Sequence, residues 1–182
     1  MNNFVIKRVA ARYLKASKTF YHGTSIKAAE RILSQGFSLA SVGQRQRALY
    51  QGKDTLDPKG VFITSDLQQA KWYAGPDPTK PGLNRGGAVL EVKVSGRLMS
   101  EKNWRSLQKR IKDEMGITNL FDPKGGEALL LAQREVQQQG YVGFQDNDVE
   151  YVILDIRKIK PIRAFYASGL YGGDPLPSSP DW

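Results

Sequence analysis

The chain has 182 residues, no cysteine, one histidine (His22) and a net charge of +9. That length suits one domain able to bury roughly 70% of its unfolded surface, and 40% hydrophobic residues is a globular composition. These numbers exclude a disulfide framework and thiolate chemistry, leave a transition-metal site short of ligands, and contain no apolar run near the ~20 residues of a membrane helix.

In chain order, residues 4–15 set Phe4, Val5, Val9, Ala10 and Leu14 at near-helical spacing, which predicts a short basic amphipathic helix or arm. Lys7, Arg8, Arg12, Lys15 and Lys18 give residues 1–19 a charge of +5. The segment lacks the apolar h-region of a signal peptide, so the expected location is cytoplasmic, in a producing or a host cell. Phe20-Tyr-His22 reads as a strand, and Thr24 or Ser25 as the cap of a helix over 25–35 that Gly36 ends. Residues 40–59 are polar and predict a loop.

Residues 60–64 read as a strand. Ser65-Asp-Leu-Gln68 has the pattern of a capping box and opens a helix to about Ala74. A Pro- and Gly-rich loop follows over 75–87, then a strand over 88–94 with Leu90, Val92 and Val94 on one face. Ser100 caps a helix over 101–113 with Trp104, Leu107 and Ile111 inward. Residues 97–113 carry six basic and two acidic side chains, a charge of +4. Such segments attract nucleic acid, a dinucleotide or an acidic protein, and equally suit a solvated helix face. A helix over 126–139 stops at Gly140. Two strands, 141–145 and 150–156, flank the turn Asp146-Asn-Asp148. The tail 167–182 is linker-like. Strands and helices mix without a βαβ rhythm, which predicts an α+β fold. No GxGxxG or GxxxxGK[ST] motif occurs.

His22, Tyr73 and Glu150 are unusual polar or aromatic residues beside strands or on the helix after one. Singly, His22 reads as a strand-end histidine, Tyr73 as core and Glu150 as a strand-edge acid. The strand after Glu150 is apolar, however, and an unpartnered carboxylate there would be costly to bury.

Together these stretches resemble a known family. Tyr21-His-Gly-Thr24 with Ile32-Leu-Ser-Gln-Gly-Phe37 is similar to the first motif of the His-Tyr-Glu ADP-ribosyltransferases, which include the poly(ADP-ribose) polymerases and diphtheria toxin. Gly60-Val-Phe-Ile-Thr-Ser-Asp66 leading to Lys71-Trp-Tyr-Ala74 resembles the second, with eleven positions from Phe62 to Tyr73. Glu150-Tyr-Val-Ile-Leu-Asp155 resembles the third, and Gly87-Ala-Val-Leu-Glu-Val92 the strand between the second and third. The resemblance spans about 20–163 in order.

It implies an ADP-ribosyltransferase-like fold of two packed, mostly antiparallel sheets with flanking helices and an NAD cleft. The catalytic domain would span 20–166, with a basic arm over 1–19 and a Gly/Pro/Ser-rich tail over 167–182. The implied chemistry breaks the nicotinamide–ribose bond of NAD through an oxocarbenium-like state, which needs a carboxylate near the developing charge. Glu150 would be catalytic, bonding the ribose 2′-hydroxyl and orienting the acceptor. His22 would bind the adenosine ribose, Gly23 would present its backbone to the carboxamide, Thr24 would touch a ribose, Phe62 would belong to the NAD site, and Tyr73 would stack on nicotinamide. NAD is the co-substrate and no metal is implied.

Two departures stand out. Phe62 occupies the place of a frequent tyrosine. Ala70 occupies that of a polymerase serine, which favours mono-ADP-ribosylation over polymer synthesis. The arginine-specific branch, with its Arg-Ser-Glu trio, is disfavoured, though Asp148 stands two before Glu150 and is an acceptor-side candidate. Arg105 and Lys109 on the basic helix are the others. Trp104 and Tyr141 read as core before base-stacking. The acceptor, nucleic acid or protein, stays open. So do an NAD glycohydrolase, an RNA 2′-phosphotransferase and a non-enzymatic nucleic-acid-binding module. A monomer is expected, and a toxin setting with an antidote protein partner is compatible.

Overall fold

The computed structural model describes residues 18–38, 60–75, 87–118, 122 and 124–167. The expected helix or arm over 4–15, the loops over 40–59 and 76–86, and all but the first residue of the tail lie outside the described residues.

Strand β1 (Thr19–Thr24) leads into helix α1 (Ile26–Gln35). Ser25 caps α1 through its hydroxyl, which accepts from Ala28 N at 3.3 Å. Gly36 closes it with φ 78° and an N–H donated to the Ile32 carbonyl, a left-handed backbone that favours glycine. Strand β2 (Val61–Thr64) precedes helix α2 (Leu67–Ala74). Strand β3 (Ala88–Val94), the short β4 (Leu98–Met99) and helices α3 (Glu101–Glu114) and α4 (Gly125–Gln138) follow. Strands β5 (Gly143–Gln145), β6 (Glu150–Ile153) and β7 (Ile159–Tyr166) complete the order.

The α+β expectation is met by a seven-stranded sheet ordered β4-β5-β6-β2-β1-β3-β7, antiparallel except for β4 with β5. One sheet stands where two were expected. Its halves are long ladders, β1–β3 from Thr19↔Lys93 to Thr24↔Ala88 and β2–β6 from Val61↔Ile153 to Thr64↔Glu150. They are joined at one register pair, Tyr21↔Thr64. The sheet is continuous but narrow at this seam.

Two strands were not expected. In β7 the alternation is broken by Lys160, Pro161 and Arg163. Proline lacks an N–H and is tolerated because β7 is an edge strand. Its register slips opposite Glu91 and Val92, leaving Ile162 exposed. The strand expected over 150–156 ends at Ile153, since Asp155 caps a 3-10 turn over Ile156–Lys158.

Helix α1 packs on one face, where Ala29 and Ile32 join Phe20, Leu90, Val92 and Ala164. On the other face, α2 sets Ala70 and Ala74 against Val89 and Phe165. Beside it, α3 and α4 bury Trp104, Leu107, Ile111, Ala132 and Val136 against Phe144 and Val152. The alternation read in β3 holds over residues 90–94, and Val89 is buried too because α2 covers the second face. No helix among the described residues is long and apolar enough to cross a membrane.

Candidate active site

Glu150 opens β6 directly after the turn 146–149. Asp146 N donates to the Glu150 carbonyl at 2.9 Å. Asn147 Oδ1 accepts from Val149 N at 3.1 Å and from Glu150 N at 2.9 Å, as asparagine does when it stands in for backbone in a tight turn. The turn is tied to the core by Trp104 on α3. Its Nε1 donates to Asp146 Oδ1 at 3.2 Å, and its ring stacks on Phe144 with centroids 3.7 Å apart. The core reading of Trp104 therefore holds, and the indole also anchors the turn. Tyr141 is half-buried beneath the Arg97 guanidinium, 4.7 Å above its ring.

Helix α2 approaches from the other side. Its cap is Asp66, whose carboxylate accepts from Gln68 N and Gln69 N, and not Ser65. Ser65 N is held by the Val149 carbonyl at 2.8 Å, continuing the β2–β6 pairing, so the helix begins one residue later than the capping-box reading placed it. The helix lies directly on β1. A Cβ at Gly23 would run into the Ala70 carbonyl and stand 2.8 Å from Ala74 N and 2.9 Å from Tyr73 Cβ. Gly87 is similarly crowded by the Ala74 carbonyl. The open side of Gly23 thus receives α2, a use of glycine different from the expected approach of a ligand.

That close packing carries Gln69 and Tyr73, one helical turn apart, to Glu150. Gln69 Nε2 donates to Glu150 Oε1 at 2.8 Å, and Tyr73 OH donates to the same oxygen. Thr64 Oγ1 donates to Gln69 Oε1 at 3.3 Å and accepts from Asp66 N at 3.0 Å, which fixes the Gln69 amide. Asn147 Nδ2 donates to Glu150 Oε2. Burial raises the Tyr73 phenol above its ordinary pKa of 10.0; the hydrogen bond to Glu150 and that group's charge add to this, and Gln69 opposes it. Tyr73 is therefore a neutral donor at physiological pH. Its ring is 41% exposed.

Most of the other expected residues do not touch Glu150. Alternation along β1 sends His22 to the α1 face, with Phe20, whereas Glu150 belongs with Thr64 and Tyr21 on the α2 face. The His22 ring meets the Phe37 ring edge-on at 5.4 Å, and its Nδ1 lies 2.7 Å from the Phe62 carbonyl across the seam. A carbonyl only accepts, so Nδ1 carries a proton and the acceptor of the neutral ring is Nε2. Phe62 meets His22 through that carbonyl, while its ring packs with the core under α3 and α4. Thr24 ends β1, half-buried, in register with Ala88. Asp148 is exposed at the tip of the Glu150 turn.

Arg105 and Lys109 lie on the outer side of α3 and line a shallow depression with Lys112 and Ile117. Arg105 pairs with Glu101 at 2.7 Å and Lys109 with Asp113 at 2.6 Å. Both lie well round the helix from Trp104, at 100° per residue. They flank the site without facing Glu150. Among the described residues no group of three or more His, Cys, Asp or Glu is gathered as for a metal ion.

Gln69 and Asn147 were missed from the sequence. Gln69 precedes Tyr73 by four residues and so shares its helix face, and Asn147 sits in an Asp-Asn-Asp turn just before a strand glutamate. Both signals were present, but neither names Glu150 as the partner. No family model, no curated protein and no solved structure matches this chain.

Proposed function

We propose that the protein is a mono-ADP-ribosyltransferase that cleaves the nicotinamide–ribose bond of NAD and passes ADP-ribose to a macromolecular acceptor. The observation that carries this reading is Glu150, a half-buried carboxylate held by three side-chain donors, one of them the exposed Tyr73. A carboxylate fixed before the reaction stabilises a cation at no reorganisation cost when it forms. The residues fit NAD. Tyr73 offers ring surface for nicotinamide beside the carboxylate, and His22 would contact the second ribose. On this reading NAD runs over the end of the β1–β2 seam, nicotinamide ribose toward Glu150 and adenosine ribose toward His22. The reading puts the NAD site at the narrow join, Tyr21–Thr64, between the two halves of the sheet.

In the reaction the C1′–N bond breaks and its electron pair leaves with the nicotinamide nitrogen. Glu150 stabilises the ribosyl cation through the 2′-hydroxyl. An acceptor nucleophile then bonds C1′ and releases its proton to solvent. Trp72 favours a macromolecule over water as acceptor. It is 76% exposed beside Tyr73, an aromatic surface that a bound macromolecule could cover. The glycohydrolase reading has an observation of its own, because Arg105 and Lys109 are already engaged with carboxylates of their own helix.

The test is incubation with labelled NAD, with and without nucleic acid or lysate, for the native chain and Glu150→Gln. Label on a macromolecule that vanishes in the variant is the expected result. Free ADP-ribose alone supports the glycohydrolase. No turnover with salt-sensitive RNA binding sinks both.

A further inference from the structure

We infer that Asn147 is a positioning residue that leaves Oε2 of Glu150 as the one oxygen offered to a ligand hydroxyl, an inference that takes its ligand, a ribose 2′-hydroxyl, from the NAD reading above. An ionised carboxylate has about four in-plane acceptor sites. Oε1 accepts from both Tyr73 and Gln69, which fills it. Among the described residues Oε2 accepts from Asn147 and from no other, so the remaining site is on Oε2, next to the Asn147 amide.

Neither amide can turn over to change this. Asn147 Oδ1 holds the N–H groups of Val149 and Glu150, and a turned Gln69 amide would set its oxygen against Glu150 Oε1. The turn is fastened from behind by the Trp104–Asp146 hydrogen bond. Asn147 therefore does two separable things with two ends of one side chain: its oxygen shapes the turn and its nitrogen aims the carboxylate.

Asn147→Asp separates them. It keeps an oxygen for both backbone N–H groups, removes the donor to Glu150 and sets a second carboxylate against Oε2. The expected result is a kcat for nicotinamide release lowered ~100-fold, the scale of a reacting group misplaced by about 1 Å, with KM for NAD changed less than about 3-fold. The melting temperature falls as well. Adding Glu150→Gln to Asn147→Asp reverses the hydrogen bond, because the new amide donates to the new carboxylate. The melting temperature then recovers while activity does not. A role in the turn alone predicts native kcat and KM for Asn147→Asp, and that result overturns the inference. So does a double variant that melts no higher than Asn147→Asp alone. A native chain that releases no nicotinamide sinks the NAD reading instead and leaves the melting comparison to decide the Asn147–Glu150 contact.

Discussion

Two tryptophans on two neighbouring helices bracket Glu150 and have opposite fates. Trp104 on α3 is 1% exposed, while Trp72 on α2 is 76% exposed and meets the Tyr73 ring edge-on. The difference comes from the helices. Helix α3 is long and amphipathic, buries one stripe against the sheet, and pairs its three acids with Arg105, Lys109 and Arg110. Helix α2 is eight residues long and fully buries only two alanines, which leaves Trp72 turned outward. Glu150 is held through its turn by Trp104 of α3 and directly by Gln69 and Tyr73 of α2.

Replacing each residue tests that division, beginning with the largest effect. Trp104→Ala removes a buried indole and the anchor of the Glu150 turn, and is expected to cost about 3–5 kcal/mol in denaturant unfolding. A loss below ~1 kcal/mol would erase the contrast with Trp72. Tyr73→Phe removes one hydroxyl donor from Glu150 and should cost roughly 1 kcal/mol. Because the folded chain holds the Tyr73 proton more tightly than the unfolded chain does, this contribution is full below pH 10.0 and is lost as pH rises above it. Thermal melts above that pH should therefore fall more steeply for the native chain than for Tyr73→Phe; parallel curves would remove the Tyr73–Glu150 link. Trp72→Ala should change stability by less than about 0.5 kcal/mol. Its effect belongs in acceptor labelling, which should drop while nicotinamide release persists. Labelling that survives unchanged would leave Trp72 without the acceptor role.

Much of this was readable from residue order. The helices over 25–35 and 101–113, the Ser100 cap and the inward Trp104, Leu107 and Ile111 follow from periodicity and caps, which are local, and the choice between Thr24 and Ser25 as the first cap fell to Ser25. Strand β7 was not legible because proline and charge interrupt it, and only its position at the sheet edge makes them tolerable. The Ser65 cap was misplaced because a backbone partner 84 residues away, Val149, holds it in the sheet.

The candidate site divides in the same way. The sequence by itself determined which residue types are present, that Glu150 opens an apolar strand, and that Tyr73 follows β2 on a helix. Only the tertiary structure decided that Gly23 admits a helix, that the two half-sheets join at Tyr21–Thr64, and that Gln69, Tyr73 and Asn147 converge on one carboxylate. The physical reason is range. Caps and periodicity act within a few residues, whereas the Glu150 contacts span up to 81 positions and exist only after β2 has paired with β6 and α2 has settled on β1.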